Sequence, residues 1–352
     1  MRSGQHWSNL IGTLAVLIFL AGCTGEANKP SGSTGPATTG SPSAAPVDTS
    51  VADKPGCEGA VVPTLETIEK GAYTPLSRPL FVYVNTTALK KPEVAGFAKT
   101  MLGEAQDKIE TAGFIKLNDE LLKEQRAKLE AAIAGIEIPA KITSGTVSVN
   151  GSSTVFPFSV VSAQLFEKAN DNKVRVTVGK KGTGGGFEKF CTGETDISNA
   201  SRPIKKEEIE KCKANGVEFI ELSVCIDGLS VCVNPKKDWC NCISVEQLHA
   251  LWEPGSKITM WSELNPAWPK EKIKLYGPDG DSGTFDYFTE VIVGKSKASR
   301  SDYTQSAEDN ILVRGIANDK YALGYFGYSY YDKNRKTLKV LGIKPAEKKE
   351  SK

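Results

Sequence analysis

Apolar and polar positions follow two rhythms along most of this chain. Leu80 to Asn85 is a short run of aliphatic and aromatic residues and predicts a strand. After it, Pro92 to Ala105 sets Val94, Phe97, Ala98, Met101 and Leu102 at helical spacing, and Leu117 to Ile133, rich in Leu, Ala, Lys and Glu, predicts another helix. Thr146 to Asn150 predicts a strand, followed by a helix from near Pro157 that carries Val160, Val161, Leu165 and Phe166. Val174 to Val178 alternates as a strand. Phe219 to Val233, interrupted by Asp227-Gly228, predicts a long bent strand able to pass from one lobe to another. Val245 to Trp252 reads as a helix. Ile273 to Tyr276 reads as a strand leading through a loop into a helix, Thr284 to Val293. Tyr321 to Tyr331 is aromatic and punctuated by glycine, and Leu338 to Leu341 predicts a last strand. No segment repeats. Strands alternating with helices predict an α/β class.

The first residues follow a different logic. Arg2, the apolar run Leu10 to Leu20 and the string Leu20-Ala21-Gly22-Cys23 predict a lipoprotein signal peptide over 1–22, with Cys23 as the acylated first residue of the mature chain. Residues 24 to 55 are dominated by Ser, Gly, Thr, Pro and Ala, so 23–56 is expected to be a lipidated cysteine and a disordered linker. The expected product is exported and anchored to the cell-envelope membrane, on its periplasmic or outer-surface side. Charge is nearly balanced, with 44 Lys and Arg against 42 Asp and Glu, which speaks against a nucleic-acid partner. There are eight cysteines, and setting Cys23 aside leaves seven, an odd number, so at least one stays free or bonds another chain. Their spacing is not that of a zinc ribbon, and no metal site is expected.

Four loops carry hydroxyls or glycines beside predicted helix starts, where free amides favour anions. Gly151-Ser152-Ser153-Thr154-Val155 lies between a strand and a helix, and its Ser and Thr could equally be caps. Lys180-Lys181-Gly182-Thr183-Gly184-Gly185-Gly186-Phe187 lacks the Gly-Lys-Ser/Thr ending of a P-loop. Asp196-Ile197-Ser198-Asn199-Ala200-Ser201-Arg202-Pro203 adds a hydroxyl and an arginine, and Arg202 is either a ligand or the partner of a structural carboxylate. Gly277 to Phe288 contains Asp281-Ser282-Gly283-Thr284 before a helix.

Two runs, Val149 to Pro157 and Tyr73-Thr74-Pro75-Leu76-Ser77-Arg78-Pro79-Leu80-Phe81-Val82-Tyr83-Val84-Asn85, resemble the periplasmic phosphate-binding proteins of Pst-type ABC transporters. In that family their order is the reverse. The resemblance implies a two-lobed periplasmic-binding-protein fold of type II, circularly permuted, with crossing strands near Pro79–Asn85 and Ser223–Asn234. It places lobe A at 86–225 and lobe B, with the hinge strands, at 57–85 and 226–345. The implied phosphate-binding residues are Ser153, Thr154, Val155, Thr183, Ser201, Arg202, Asp281, Ser282, Gly283, Thr284 and Arg300, with Arg300 as the main cation and Asp281 as acceptor for a phosphate proton. Ser201 stands where the enterobacterial pattern has an aspartate. Disulfides Cys191–Cys212 and Cys57–Cys242 are implied by the same likeness.

The implied function is high-affinity capture of inorganic phosphate by a monomer, without cofactor or catalysis, and its delivery to the permease subunits of an ABC transporter. Binding of sulfate, molybdate or arsenate is the nearest rival. A phosphate-ester hydrolase is less favoured: beyond the leader the chain keeps only His249, and no paired-carboxylate metal constellation is present.

Overall fold

The structure, a computed structural model, describes residues 46–346. The leader, Cys23 and the linker up to residue 45 lie outside the described residues. Its strands are β1 (Ser77–Asn85), β2 (Gly145–Gly151), β3 (Val174–Val178), β4 (Ile197–Ala200), β5 (Phe219–Val233), β6 (Cys242–Ser244), β7 (Lys274–Pro278), β8 (Thr304–Ser306), β9 (Ala322–Gly327), β10 (Lys339–Val340) and β11 (Gly342–Lys344). Eight of them run in the order β3-β2-β4-β1-β5-β9-β7-β8, with β10 also on β5, while β11 and β6 form a separate parallel pair.

The expected two-lobed α/β architecture is present, with β1 and β5 side by side in the middle of the sheet. β1 lies between β4 and β5, antiparallel to both. It therefore pairs with strands that follow it far along the chain and belongs to no separate N-terminal module. β5 pairs with β1 from Phe219 to Gly228 and with β9 from Leu229 to Val233. That change of partner falls at Asp227-Gly228, where the sequence breaks its apolar run. From Val224 onward every residue of β5 is buried, which its near-continuous apolar character requires.

The two faces of β1 build two cores. Leu80, Val82 and Val84 join the main core. Phe81 and Tyr83 face the other way, onto Phe187, Phe190 and the Cys191–Cys212 disulfide. This alternation is the period of two that a strand imposes. The second disulfide, Cys57–Cys242, ties the start of the globule to β6, and Val61 bridges Ile343 beside it. Cys225, Cys232 and Cys240 are buried and free.

Some boundaries differ from those expected. The helix expected over Pro92 to Ala105 stops at Leu102, and a 3-10 segment, Glu104–Ala112, continues after Gly103. The helix expected over Thr284 to Val293 is an α-helical turn, Gly283–Phe288, followed by a π-helical turn, Thr289–Val293, that ends on left-handed Gly294. Tyr321 to Tyr331 divides into β9 and the helix Tyr328–Lys333. Packing also begins inside the expected linker: the 3-10 turn Thr49–Asp53 buries Val51.

Candidate functional site

The loop after β2 is built by local hydrogen bonds. Ser152 donates its amide to the Asn199 carbonyl, and its Oγ accepts the amides of Thr154 and Val155 at 3.2 and 3.4 Å. The Val155 amide is thus engaged within its own loop and its side chain is fully buried. The helix Phe156–Ala169 starts from there.

The glycine run 182–186 does more than form a turn, because it opens the helix Gly182–Phe190. A Cβ on Gly186 would lie 2.5 Å from the Cα of Gly151, so a side chain there would push the helix off β2. This close approach sets Thr183 beside the end of β4: its Oγ1 lies 3.0 Å from Ser201 Oγ and accepts the Ser201 amide at 3.2 Å. Arg202 forms a two-pronged pair with Glu208, at 2.9 and 2.8 Å. Of the alternatives left open for Arg202, the structural carboxylate is present. The bond to Glu208 raises the Arg202 pKa. Burial opposes the charged form of Glu208, yet bonds from Arg202 and the Lys205 amide keep its pKa below the usual value.

Across the cleft, Ser282 caps the helix Gly283–Phe288 by accepting the Thr284 amide at 3.2 Å. Asp281 is exposed, and its amide donates to Asp279 Oδ1. Two contacts join the sides: Ser153 Oγ donates to Asp286 Oδ2 at 2.7 Å, and Thr154 Oγ1 donates to the Gly283 carbonyl at 3.3 Å.

Two cavities meet at Ser153 and Thr154. The smaller, about 200 Å³, is lined by Arg78, Ser152, Ser153, Thr154, Gly182, Thr183, Gly184, Ser201, Arg202, Asp286, Glu290 and Ser296. The larger, about 390 Å³, includes Lys180, Asp281, Ser282, Gly283 and Thr284 in its lining, with three further carboxylates: Asp227, Asp279 and Asp309. The structure therefore gathers Ser153, Thr154, Thr183, Ser201 and Arg202 around one space. It places Asp281, Ser282, Gly283 and Thr284 around its neighbour.

Arg300 requires a correction. It lines neither cavity, and its guanidinium is buried and makes four hydrogen bonds: Nε and Nη2 bond Asp302 at 2.6 and 2.8 Å, and Nη1 bonds the carbonyls of Leu251 and Ile258, each at 2.9 Å. An arginine with its donors so committed anchors the helix Val245–Trp252 to its neighbouring loops.

The residue that sequence reasoning missed is Arg78, at the start of β1. Nη2 donates to Thr154 Oγ1 at 3.3 Å, Nη1 lies 3.5 Å from Glu290 Oε2, and the guanidinium stacks 3.5 Å above the Tyr287 ring. Its string, Ser77-Arg78-Pro79, is part of the resemblance, but Arg78 falls just before the expected crossing strand and outside the expected phosphate-binding set. The usable signal was a charged residue at the mouth of an apolar strand. Hydroxyls and a guanidinium around a small space are suited to a tetrahedral oxyanion. Among the described residues no group of His, Cys, Asp and Glu could hold a metal ion. His249 lies on a helix surface, 3.8 Å from Glu253 and outside both cavities.

A two-lobed α/β fold with hydroxyl-bearing loops facing one another across a cleft defines a substrate-binding-protein architecture. The chain belongs to the PBP superfamily: residues 139–352 match the model described as PBP superfamily domain. It is 45% identical over 203 residues to Protein SphX of Synechocystis sp., covering 57% of this chain and 60% of that protein. It is 41% identical over 202 residues to the phosphate-binding protein PstS of Staphylococcus saprophyticus, covering 57% and 61%. The chain thus spans about three fifths of the length of these curated relatives. Among solved structures, a "possible phosphate binding protein" from Planctomyces limnophilus is 50% identical with a TM-score of 0.56, over 59% of this chain and 72% of that one.

Proposed function

We propose that this protein binds inorganic phosphate in the cleft between its lobes and hands it to the permease of an ABC transporter. The observation that carries this reading is the small cavity in which Ser153, Thr154, Thr183 and Ser201 converge with Arg78 and Arg202. The names of the Staphylococcus saprophyticus PstS and of the Planctomyces structure give phosphate as the ligand of those proteins, which supports the same anion here. Asp281, Ser282, Gly283 and Thr284 complete the set from the opposite side, and no catalytic step is assigned to any of them. Cys23 is proposed as the lipid attachment point on an exported, monomeric protein.

The chain order is proposed to be a circular permutation, with lobe A over 86–225 and lobe B over 57–85 and 226–345. Two facts support it. The relatives align over only part of their length, and β1, which precedes residues 139–352 matched by the family model, sits in the middle of the sheet. A version that joins residue 345 to residue 57 by a short linker and begins near residue 139 is expected to fold and bind as the original does.

Calorimetric titration with phosphate, sulfate and arsenate tests the ligand. Tighter binding of phosphate than of sulfate is expected. Equal affinity would replace the phosphate assignment with a general oxyanion carrier, and Ser201 in place of a carboxylate would be the reason.

A further inference from the structure

Asp227 breaks the apolar run of β5 and is 3% exposed. It faces Arg78 directly in the register of β1 with β5. Arg78 Nε lies 3.7 Å from Asp227 Oδ2, an ion pair too long for a hydrogen bond, and neither atom has a hydrogen-bond partner. The rest of the guanidinium is held elsewhere. Tyr287 covers one face, and the terminal nitrogens point toward Thr154 and Glu290 at the small cavity. Asp227 therefore lies on the Nε side of the arginine and outside the small cavity, although it lines the larger one.

We propose that Arg78 is the principal cation of the oxyanion site and that Asp227, from β5, is the residue that positions it. This rests on the anion-binding reading above. A largely buried guanidinium needs a counter-charge, and leaving either partner alone is strongly unfavourable. The carboxylate also repels an incoming anion. For an anion in the small cavity, which Arg78 lines and Asp227 does not, that repulsion acts over a longer path than the attraction of Arg78, so loss of orientation outweighs it. Arg202, already paired with Glu208, is the lesser contributor.

Burial drives the Asp227 carboxyl up to about 6 even beside Arg78. The groups facing it are Arg78 on β1, Tyr287 on the helix Gly283–Phe288 and Cys225 on its own strand, with Asp309 and Lys180 lining the same larger cavity. Protonation at mildly acidic pH loosens the hold on Arg78.

The test uses the full chain and inorganic phosphate, with Arg78→Gln, Asp227→Asn, Arg202→Gln and the Arg78→Gln/Asp227→Asn double variant. Affinity is read by calorimetry and, for weak binders, by thermal stabilisation in millimolar phosphate. Arg78→Gln is expected to lose at least about tenfold in affinity, since a charge-assisted pair is removed. Arg202→Gln should lose less, and Asp227→Asn should lose about tenfold through the misplaced arginine. In the Arg78→Gln background, Asp227→Asn should change affinity by less than about twofold, because effects acting through one group do not add. Between pH 7.5 and pH 5 the wild type should converge on Asp227→Asn, the titration of phosphate itself being common to both. Unaltered affinity in Arg78→Gln overturns the cation. Equal losses from Asp227→Asn in both backgrounds, or tighter binding by Asp227→Asn, overturn the positioning role. A wild type that binds no oxyanion removes the functional reading itself, a result separable from all of these.

Discussion

Gly283 backs onto Thr154 so closely that a Cβ at position 283 would lie 2.5 Å from the Thr154 Cα and 2.8 Å from its nitrogen. The two residues come from opposite sides of the cleft, and both obstructing atoms are backbone. Neither loop can yield by rotating a side chain. The first helical residue after Ser282 must therefore be glycine for the two sides to meet as they do.

From this contact, Gly283→Ala is expected to hold the anion loops apart and weaken phosphate binding by about tenfold, roughly 1.4 kcal/mol. Gly283 sits at a helix start, where alanine suits the backbone, so thermal stability should change little. Titration calorimetry beside a melting curve checks both halves. Wild-type affinity in this variant would show that the loops need not meet in the loaded protein.

Arg300→Gln should show the opposite division. Its guanidinium bonds the carbonyls of Leu251 and Ile258 and the Asp302 carboxylate, and hydrogen bonds to charged groups contribute about 1.5–3 kcal/mol each. A marked fall in Tm is expected, while phosphate affinity measured well below that Tm should stay within about twofold, a threshold set by the ordinary independence of distant sites. A loss of affinity with no loss of stability would return Arg300 to the binding site.

Lys237 supplies a pH dependence. It is fully buried, with its ammonium 3.5 Å from the centre of the Trp261 ring and 3.2 Å from the Ala322 carbonyl. Burial pulls its pKa from 10.5 down to about 7, although the tryptophan face favours the charged form. Between those two values the unfolded chain holds the extra proton, so this residue's contribution to stability increases with pH across that window. Lys237→Met should raise Tm at pH 7, and the gain should shrink toward pH 10. A gain that does not vary with pH would falsify the assignment.

The two disulfides should differ in cost. Cys57–Cys242 closes a separation of 185 residues and Cys191–Cys212 one of 21. In chain-entropy terms the longer loop is worth more, within the usual span of about 2–5 kcal/mol for a native bridge. Paired Cys→Ser variants compared by denaturant unfolding test the order. Phosphate affinity should persist in both, since neither bridge lines the cavities.

Much of this architecture was legible before any coordinates. Strand and helix periodicities along 80–178 and the bent strand over 219–233 are local consequences of which residues are apolar, and the structure keeps them. The glycines and hydroxyls of four loops marked places where backbone could approach an anion. The choice of arginine was another matter. Arg78, Arg202 and Arg300 look alike in sequence, since nothing in a string of residues states which carboxylates will lie nearby.

Tertiary structure settled that choice by distributing counter-charges. Asp302 and two carbonyls occupy Arg300, Glu208 occupies Arg202, and Arg78, with Asp227 and Glu290 at longer range, keeps its terminal nitrogens toward the small cavity. Asp302 and Glu208 lie 2 and 6 residues away from the arginines they meet, the two carbonyls 49 and 42, and Thr154 lies 76 from Arg78. Proximity in sequence thus concealed two structural pairs and gave no hint of the contact at the cavity. The sequence by itself determined that strands and helices would alternate and that hydroxyl loops would sit at helix starts, because both follow from local steric and hydrogen-bonding needs. That Arg78 lines the small cavity was decided only when β1 entered the sheet between β4 and β5, because electrostatic pairing depends on distance in space and not on order along the chain.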